Sequence, residues 1–583
     1  MPAQTVPTIP ASPARKIGSQ DAEHWFEANA QLPALLMTTL AFAVRLWAAS
    51  GTFLNPDEAL HFQLANQSSW AQAYRASLTS AHPPGLIFLL HYWRMLGSSE
   101  LFLRLPSVMA GAAFCWICFL WVSKLFGRTA GWIAFVLLGF LPPLVELSAE
   151  LRQYELLLLF IAASAYLLEL AFEKDSPLWM LLSAVSLYLA MATHYSALLF
   201  AASLGIYAAA RIIVGNVGRG AIAMWLAGQA GAAGFFLFLY RTHISQLHGN
   251  NGEGTHLFAA NSFLHSSYFY PGQENPLVFV AAKTGGVFQY IFGQLVVGDI
   301  AFLLFLAAIV ILARRGRTKS STGKISSWQL AVLLALPFVL NSAAGLAGRY
   351  PYGGNRHCVF LAMFAVAGIS CVLASMVRGR TLRGVAVALV LAGVCVLLGK
   401  PRQPYILRAD QNREHMQQAI QAIEGQIRPS EIILADYESG LLLGHYLCAQ
   451  NMISFDNSQA GFQKFTCSGR TVIAMHPEPM ILTGENFLGY WQRFLKQWDL
   501  RAGERIWVFQ AGWDVHLAEQ LQLGSRAAQP GSAGAWMAHP VQVFGNSINL
   551  FALDTGESRS YPASKHSRPH ELFPSNQRGL SGI

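Results

Sequence analysis

The chain has 583 residues, of which 53% are hydrophobic and 12% charged, and its formal net charge is +9. A soluble domain carries about 25% charged residues, and charges are costly in hydrocarbon. The composition therefore excludes an ordinary soluble protein and predicts one surrounded by membrane lipids. The basic residues form short clusters between apolar runs, as in cytoplasmic loops, so they do not indicate a nucleic acid partner.

Apolar runs dominate the chain from residue 32 onwards. Residues 1–31 are polar and proline-rich, which predicts a cytoplasmic tail and not a signal peptide. A membrane helix needs about 20 apolar residues. The run 84–97 is shorter and contains His91 and Arg94, so we expect it to lie in the interface. The eleven predicted spans are 32–50, 102–123, 130–148, 156–172, 177–192, 196–212, 220–240, 286–313, 327–347, 357–377 and 383–399.

Charge bias gives the predicted topology. With eleven spans and the N-terminus inside, the cytoplasmic segments hold about twice as many Lys and Arg residues as the longer outer segments. This topology places the C-terminus outside. It also places four polar segments together on the outer face, namely 51–101, 148–155, 241–285 and 348–356.

A separate C-terminal domain is predicted from 401 to 554. Helical and strand-like patterns alternate there, with a helix over 410–427 and buried strands at 431–436, 471–476 and 504–510, which is typical of an α/β fold. Further helices are predicted over 438–449 and 487–498. A disulfide between Cys448 and Cys467 is possible if this domain lies outside the cytoplasm. Residues 555–583 are polar and predicted to be disordered.

The first polar motif is Asn55-Pro56-Asp57-Glu58, just after the first span. A glycosyl acceptor hydroxyl loses its proton as it attacks, and a nearby carboxylate can accept that proton. The alternative interpretation is a solvated turn in which an acid caps the next helix.

Four further motifs fall on the same predicted face. Arginine can bind phosphate through two hydrogen bonds, and the backbone of a glycine-containing loop can bind an anion. Taken singly, each motif also fits a surface histidine, an interfacial arginine or an aromatic belt. The residues concerned are His82, Arg152, Tyr154, Glu155, His194, Tyr195, Arg349, Tyr350, Arg356 and His357.

The order of these motifs resembles the GT-C fold of integral membrane glycosyltransferases. The Asp-Glu pair is followed by His82-Pro83-Pro84, by Arg-Leu-Pro-Ser at 104–107, and by Arg152-x-Tyr154 before the fourth span. The pattern is similar to the bacterial branch related to protein O-mannosyltransferases and to the aminoarabinose and galacturonic acid transferases of lipid A (glycosyltransferase family 39-like). The resemblance covers about residues 32–400 and implies a mostly α, polytopic GT-C domain with about eleven transmembrane helices, followed by the extracytoplasmic α/β domain.

The resemblance also implies roles for the site residues. Asp57 and Glu58 would be catalytic. A divalent metal is possible, and Asp57, Glu58 and His61 could contribute ligands to it, but no metal site is predicted and no other cofactor is expected. Glu155 stands near the position of an Asp in some relatives, and His82 stands where aminoarabinose transferases have a lysine motif. The donor phosphate would be held by Arg152, Tyr154, Arg349, Tyr350, Arg356 and His357. The other substrate contacts would be His82, Glu155, His194 and Tyr195.

The function implied is transfer of a sugar from a polyprenyl-phosphate donor to a lipid, glycan or protein acceptor. The reaction would be an inverting displacement on the periplasmic face of a bacterial inner membrane. The alternative is a transporter or flippase for polyprenyl-linked glycans, which would place functional charges near mid-membrane. Only Arg45 and Asp299 look clearly embedded in apolar runs. A non-enzymatic assembly protein would leave the clustered polar motifs unexplained.

Overall fold

The computed structural model describes most of the chain and divides it into two compact units, residues 1–407 and 408–583. The described residues are 23, 26, 28–215, 217–245, 264–316, 325–399, 411–448, 458–459, 462–475, 496–498, 505–511, 537–545 and 548–554.

Helices make up the described part of the first unit. They are α1 (Gln31–Ala49), α2 (Pro56–Ala65), α3 (Trp70–Ser77), α4 (Gly85–Trp93), α5 (Glu100–Phe126), α6 (Arg128–Phe140), α7 (Pro142–Ser148), α8 (Tyr154–Lys174), α9 (Pro177–Thr193), α10 (Ser196–Val214), α11 (Arg219–Leu239), α12 (Pro276–Phe292), α13 (Leu295–Arg315), α14 (Ser327–Leu346), α15 (Ala362–Met376) and α16 (Thr381–Leu398). A π-helical turn, Tyr240–Ile244, extends α11, and a 3₁₀ turn, Arg356–Leu361, precedes α15.

The predicted polytopic, mostly helical architecture is confirmed. In the described part of the chain, nine helices are long and apolar enough to cross a membrane, and the bent pair α6–α7 could form a tenth span. Helices α9 and α12 are apolar but have only 17 residues each. Helix α4 has nine residues, so it is about 13 Å long and cannot cross a bilayer. The prediction that the run 84–97 does not span therefore holds.

The predicted single span 286–313 is wrong, because the chain breaks between α12 and α13. Gly293 has a φ of +64°, a left-handed conformation that favours glycine and ends α12. The Gln294 side chain then accepts a hydrogen bond from the Val297 amide at 2.6 Å, which begins α13. Both helices are apolar up to the break, so hydropathy alone did not separate them.

A second break, between α6 and α7, bends the chain by 61° at Pro142 and Pro143. The two prolines lack the amide hydrogens that would bond the carbonyls of Leu138 and Gly139. The buried Arg45 guanidinium of α1 donates to both carbonyls, at 3.0 Å and 2.7 Å. A charged side chain within an apolar helix thus replaces the backbone donors that the prolines remove.

The second unit contains a seven-stranded mixed sheet. The central strand β1 (Ile432–Ala435) lies parallel to its neighbours β4 (Arg470–Met475) and β5 (Ile506–Gln510). The other strands are β2 (Ser458–Gln459), β3 (Phe462–Cys467), β6 (Met537–Phe544) and β7 (Ile548–Asp554), and the order is β2-β3-β4-β1-β5-β7-β6. Helices α17 (Arg413–Gln426) and α18 (Tyr437–Tyr446) complete the described elements.

The predicted α/β character of this unit is confirmed. The expected helix over 410–427 and the three expected buried strands correspond to α17, β1, β4 and β5. A disulfide joins Cys448 and Cys467, whose Cα atoms are 4.6 Å apart. Most of the predicted helix 487–498 and the predicted disordered tail 555–583 lie outside the described residues.

Candidate functional site

Asp57 lies at the N-terminus of α2, in a turn that the local sequence determines. The Asn55 side chain accepts a hydrogen bond from the Glu58 amide at 2.9 Å, and the Glu58 carboxylate accepts one from the Asn55 amide at 2.8 Å. This reciprocal capping box, with Pro56 at the first helical position, fixes where the helix begins. Asn55 is therefore the cap, and the Asp57 carboxylate is left available for other partners.

Glu58 connects three segments of the chain beneath the site. Its carboxylate forms two hydrogen bonds of 2.7 Å with the Arg104 guanidinium of α5, and both side chains are almost fully buried. It also accepts the Leu151 amide at 2.6 Å, in the turn that carries Arg152. Arg104 in turn donates to the carbonyls of Ala49, Thr52 and Phe53, before α2. The pair therefore fixes Asp57 and Arg152 relative to each other.

Two guanidinium groups meet at one oxygen of the Asp57 carboxylate. Arg152 forms an ion pair with Oδ2, and Arg356 donates to the same atom at 2.9 Å. Both guanidiniums lie over the ring of Tyr154, at 5.5 Å and 6.0 Å from its centroid. Burial would raise the pKa of Asp57, but Arg152 and Arg356 outweigh it and hold this pKa well below its usual range.

The site is buried but not closed. The Arg152 and Arg356 side chains are 2% and 13% exposed, whereas that of Asp57 is 25% exposed. With one carboxylate and two guanidiniums, this Asp57–Arg152–Arg356 cluster carries one net positive charge. An anion that reached the cluster could bind the two guanidiniums in place of the carboxylate.

The loop that carries Arg356 is held against α12. Tyr352 donates its amide to the Ser267 carbonyl at 2.8 Å, and its hydroxyl shares a hydrogen bond of 2.7 Å with Thr284 of α12. Gly354 lies so close to α12 that a Cβ built on it would be 2.5 Å from the carbonyl oxygen of Gly286. The glycine is needed for this close approach. The approach fixes the position of the backbone two residues before Arg356.

Four histidines surround the cluster. His82 lies with its ring centroid 6.1 Å from that of His61, 5.3 Å from that of His194 and 6.4 Å from that of His357. The His194 and His357 rings are 5.8 Å apart, and the Tyr154 ring is 5.3 Å from that of His194. Burial lowers the pKa of His82 and His194, and nearby positive charge adds to this effect, so both are neutral near pH 7.

The structure thus brings together seven of the twelve residues predicted to form the site. They come from five separate parts of the sequence, and no two parts are adjacent. The seven are Asp57, His82, Arg152, Tyr154, His194, Arg356 and His357.

The other five residues lie elsewhere or contact the cluster only indirectly. Both oxygens of Glu58 are taken up by its structural partners, so we assign it a positioning role in place of the predicted catalytic one. Glu155 lies beside Arg45 and Ser148. Arg349 is exposed. Tyr350 donates to the His357 carbonyl at 3.2 Å. The Tyr195 hydroxyl is buried and finds no hydrogen-bond partner among the described residues.

The acids of this region do not form a metal-binding set. Asp57 is paired with two guanidiniums and Glu58 with a third. Among the described residues, no group of three or more His, Cys, Asp or Glu side chains is arranged to hold a metal ion.

The comparisons with known proteins agree with the fold. The family model of dolichyl-phosphate-mannose-protein mannosyltransferases matches residues 81–239, roughly a quarter of the chain. No curated protein sequence matches the chain.

Solved structures match nearly the whole chain. ArnT from Cupriavidus metallidurans, solved with undecaprenyl phosphate bound, is 12% identical with a TM-score of 0.50, and the match covers 89% of this chain and 97% of ArnT. The archaeal oligosaccharyltransferase AglB from Archaeoglobus fulgidus, solved with an inhibitory peptide and a dolichol-phosphate, is 10% identical with a TM-score of 0.48, covering 91% and 75%. The protein is an integral membrane protein with the GT-C fold.

Proposed function

We propose that this protein is a glycosyltransferase that moves a sugar from a polyprenyl-phosphate carrier to a lipid, glycan or protein acceptor. The observation that carries the proposal is the convergence of Arg152 and Arg356 on Asp57, in a fold shared with a protein that binds undecaprenyl phosphate. The donor would be lipid-linked, since the resemblance and the fold both point to that class.

The cluster suits displacement of a phosphate from a sugar carbon. As the bond to the carrier breaks, negative charge develops on the phosphate oxygens. Two guanidiniums already aimed at one anionic position stabilise this charge without having to reorganise. One direct displacement from the opposite face would invert the configuration of the sugar carbon.

Asp57 would face the acceptor hydroxyl and orient it. When the donor phosphate takes over Arg152 and Arg356, the Asp57 carboxylate is released from them and becomes available for this contact. The sequence-based prediction that Asp57 is the general base stays a prediction. The two guanidiniums weaken it as a base, because they hold its pKa well below its usual range.

The transporter alternative would require functional charges near mid-membrane, and only Arg45 and Asp299 look clearly embedded in the sequence. Arg45 bonds the carbonyls left by Pro142 and Pro143 and lies beside Glu155, so both charges have structural partners. Asp299 is exposed on the surface of the helices and accepts a hydrogen bond from Gln289 at 2.8 Å. These contacts account for the embedded charges without a transport pathway.

We further propose that the site opens on the outer face of a bacterial inner membrane, with the C-terminal unit in the periplasm. The charge bias of the loops supports this orientation. The disulfide between Cys448 and Cys467 supports it independently, because disulfides persist in oxidising compartments.

Binding of undecaprenyl phosphate tests the role of the two guanidiniums. In lipid nanodiscs, Arg356→Ala is expected to weaken binding about 10- to 100-fold, since a hydrogen bond to a charged group contributes about 1.5–3 kcal/mol. Arg75→Ala, which removes an exposed arginine of α3, is the matched control and should bind as the wild type does. Unchanged binding by Arg356→Ala would show that the phosphate does not bind at this cluster.

A further inference from the structure

Three buried oxygen atoms next to the two guanidiniums of the cluster have no hydrogen-bond partner among the described residues. They are the hydroxyls of Tyr154 and Tyr290 and the Oε2 atom of Glu150. Tyr154 is fully buried and Tyr290 is 9% exposed. A buried polar group without a partner costs free energy in a folded protein. Three such groups in one place therefore indicate a bound molecule with several hydrogen-bonding atoms.

Different elements bring these three groups together. Tyr154 begins α8, and the guanidiniums of Arg152 and Arg356 lie 5.5 Å and 6.0 Å from its ring centroid. Glu150 belongs to the turn before α8, where its carbonyl accepts the Arg152 amide at 2.8 Å. Tyr290 belongs to the last turn of α12, and α12 packs against α7, which leads into that turn. Arg356, Tyr154 and Glu150 all act electrostatically on Tyr290.

The part of the donor that fits these groups is the sugar. The inference rests on the proposed glycosyltransferase function, in which the donor phosphate binds Arg152 and Arg356. The sugar is joined to that phosphate through one oxygen, so it must lie beside the same two guanidiniums. The polyprenyl tail has no hydrogen-bonding atom, and packing it against the three polar groups would leave them unsatisfied. A sugar ring carries several hydroxyls, each of which can donate and accept a hydrogen bond.

We propose that Tyr154, Tyr290 and Glu150 form the subsite for the donor sugar, and that this subsite takes a neutral hexose. Charge gives the preference. When the phosphodiester of the donor is bound, it and the Asp57 carboxylate together balance the two guanidiniums. No positive charge of the cluster then remains to offset a further anion. Glu150 would therefore repel the carboxylate of a uronic acid, because like charges placed together at a binding site cost binding energy.

The protonation state of Glu150 makes this preference depend on pH. Its pKa is raised to about 7, mainly by burial. The charged and titratable groups around it are Glu58 and Asp57, which raise the pKa, Arg152 and Arg356, which lower it, and the Tyr290 hydroxyl on α12. The carboxyl is therefore mostly protonated at about pH 6 and mostly ionised at about pH 8. Repulsion of a uronic acid should increase between these two pH values.

Binding measured without an acceptor tests the subsite. The full-length protein in nanodiscs would be titrated with undecaprenyl phosphate carrying mannose, glucose, galactose or galacturonic acid, and with bare undecaprenyl phosphate. Tyr290→Phe removes one hydroxyl and should weaken binding of the preferred hexose donor about 3- to 10-fold, the size of one hydrogen bond. It should bind bare undecaprenyl phosphate as the wild type does. Tyr240→Phe, which alters an exposed tyrosine after α11, is the matched control and should change neither affinity.

Glu150→Gln tests the charge preference. At about pH 8, the wild type should bind the galacturonic acid donor at least about tenfold more weakly than the preferred hexose donor, and the difference should shrink towards pH 6. Glu150→Gln should remove this pH dependence, whereas Tyr290→Phe should keep it, which a general packing defect would not explain.

Two kinds of result would overturn the subsite. In the first, Tyr290→Phe binds the hexose donor as the wild type does, or loses affinity for the hexose donor and for bare undecaprenyl phosphate equally. In the second, the wild type binds the galacturonic acid and hexose donors equally at about pH 8. Turnover of a donor by the wild type would keep the proposed function standing in each of these cases, whereas turnover of none would reject both.

Discussion

Glu58→Gln is expected to destabilise the membrane unit by about 3–5 kcal/mol and to abolish transfer. Glu58 is 1% exposed and neutralises Arg104, which is equally buried. Removing one partner of a buried ion pair leaves the other charge without compensation, which accounts for a loss of this size. The variant also weakens the acceptor of the Leu151 amide, so the turn that carries Arg152 would shift relative to Asp57. Thermal unfolding in nanodiscs and single-turnover transfer measure the two effects.

The double variant Glu58→Leu with Arg104→Met separates charge from position. With both charges removed, the part of the loss that comes from the unpaired charge should return, but not the part that comes from the carbonyls of Ala49, Thr52 and Phe53, which lose their Arg104 donors. Transfer should not return, since the Asn55 and Leu151 amides still lack their carboxylate. If Glu58→Gln unfolds at the wild-type temperature and transfers normally, the positioning role assigned to this pair is wrong.

The second large effect is expected from Arg45→Met, also about 3–5 kcal/mol. The substitution leaves the Gly139 carbonyl without its Arg45 donor, and the Leu138 carbonyl with only the weak Cys115 thiol donor, at a helix break in the membrane where water cannot replace the guanidinium. It also leaves Glu155 without its positive neighbour. The midpoint of thermal unfolding in nanodiscs measures the loss.

Matched variants identify the source of that loss. Arg45→Met combined with Glu155→Gln should recover the part that comes from the unpaired acid, but not the part that comes from the two carbonyls. Arg75→Ala, on an exposed face of α3, should unfold close to the wild-type temperature. If Arg45→Met unfolds at the wild-type temperature, the helix break at Pro142 and Pro143 does not need the Arg45 hydrogen bonds for stability.

The sequence grouped the candidate site residues because they share one property, their predicted position on one face of the membrane. Asp57 and Arg356 are 299 positions apart, yet the structure joins them by a hydrogen bond. No local pattern could pair them. The count of spans between them, together with the charge bias of the loops, placed both on the outer face and so made their meeting expected.

What the sequence could not show were contacts that depend on a single carbonyl or a single bend. The sequence offered His61 only as a possible metal ligand, because a histidine within a short helix carries no periodic signal. Its hydrogen bond from Nδ1 to the Asp57 carbonyl is revealed only by the structure. The partner of Arg45 was equally hidden, since Pro142 and Pro143 lie about a hundred positions away. The break at Gly293 was missed because both flanking helices are apolar.

The capping box explains why two adjacent acids have different roles. The sequence treated Asp57 and Glu58 as one catalytic pair, because both acids follow the first span. At the start of the helix the two side chains point to different partners. Glu58, three residues after the cap, binds the Asn55 amide and Arg104. Asp57 binds the guanidiniums of Arg152 and Arg356. Asn55 could have indicated this division, because an Asn followed three residues later by Glu is a recognised helix-start pattern.

Turnover of a lipid-linked sugar donor tests the central claim most directly. The purified protein in nanodiscs would be incubated with a panel of radiolabelled polyprenyl-phosphate sugars and a membrane extract as the source of acceptors, and loss of sugar from the carrier would be followed. We predict that one donor loses its sugar by transfer or hydrolysis. Asp57→Asn should reduce this loss at least about 10²-fold, because the acceptor hydroxyl is no longer held in position, while binding the donor at least as tightly, because the competing carboxylate has been removed. Loss of sugar from no donor, although the donors bind, would contradict the account, and so would normal turnover by Asp57→Asn.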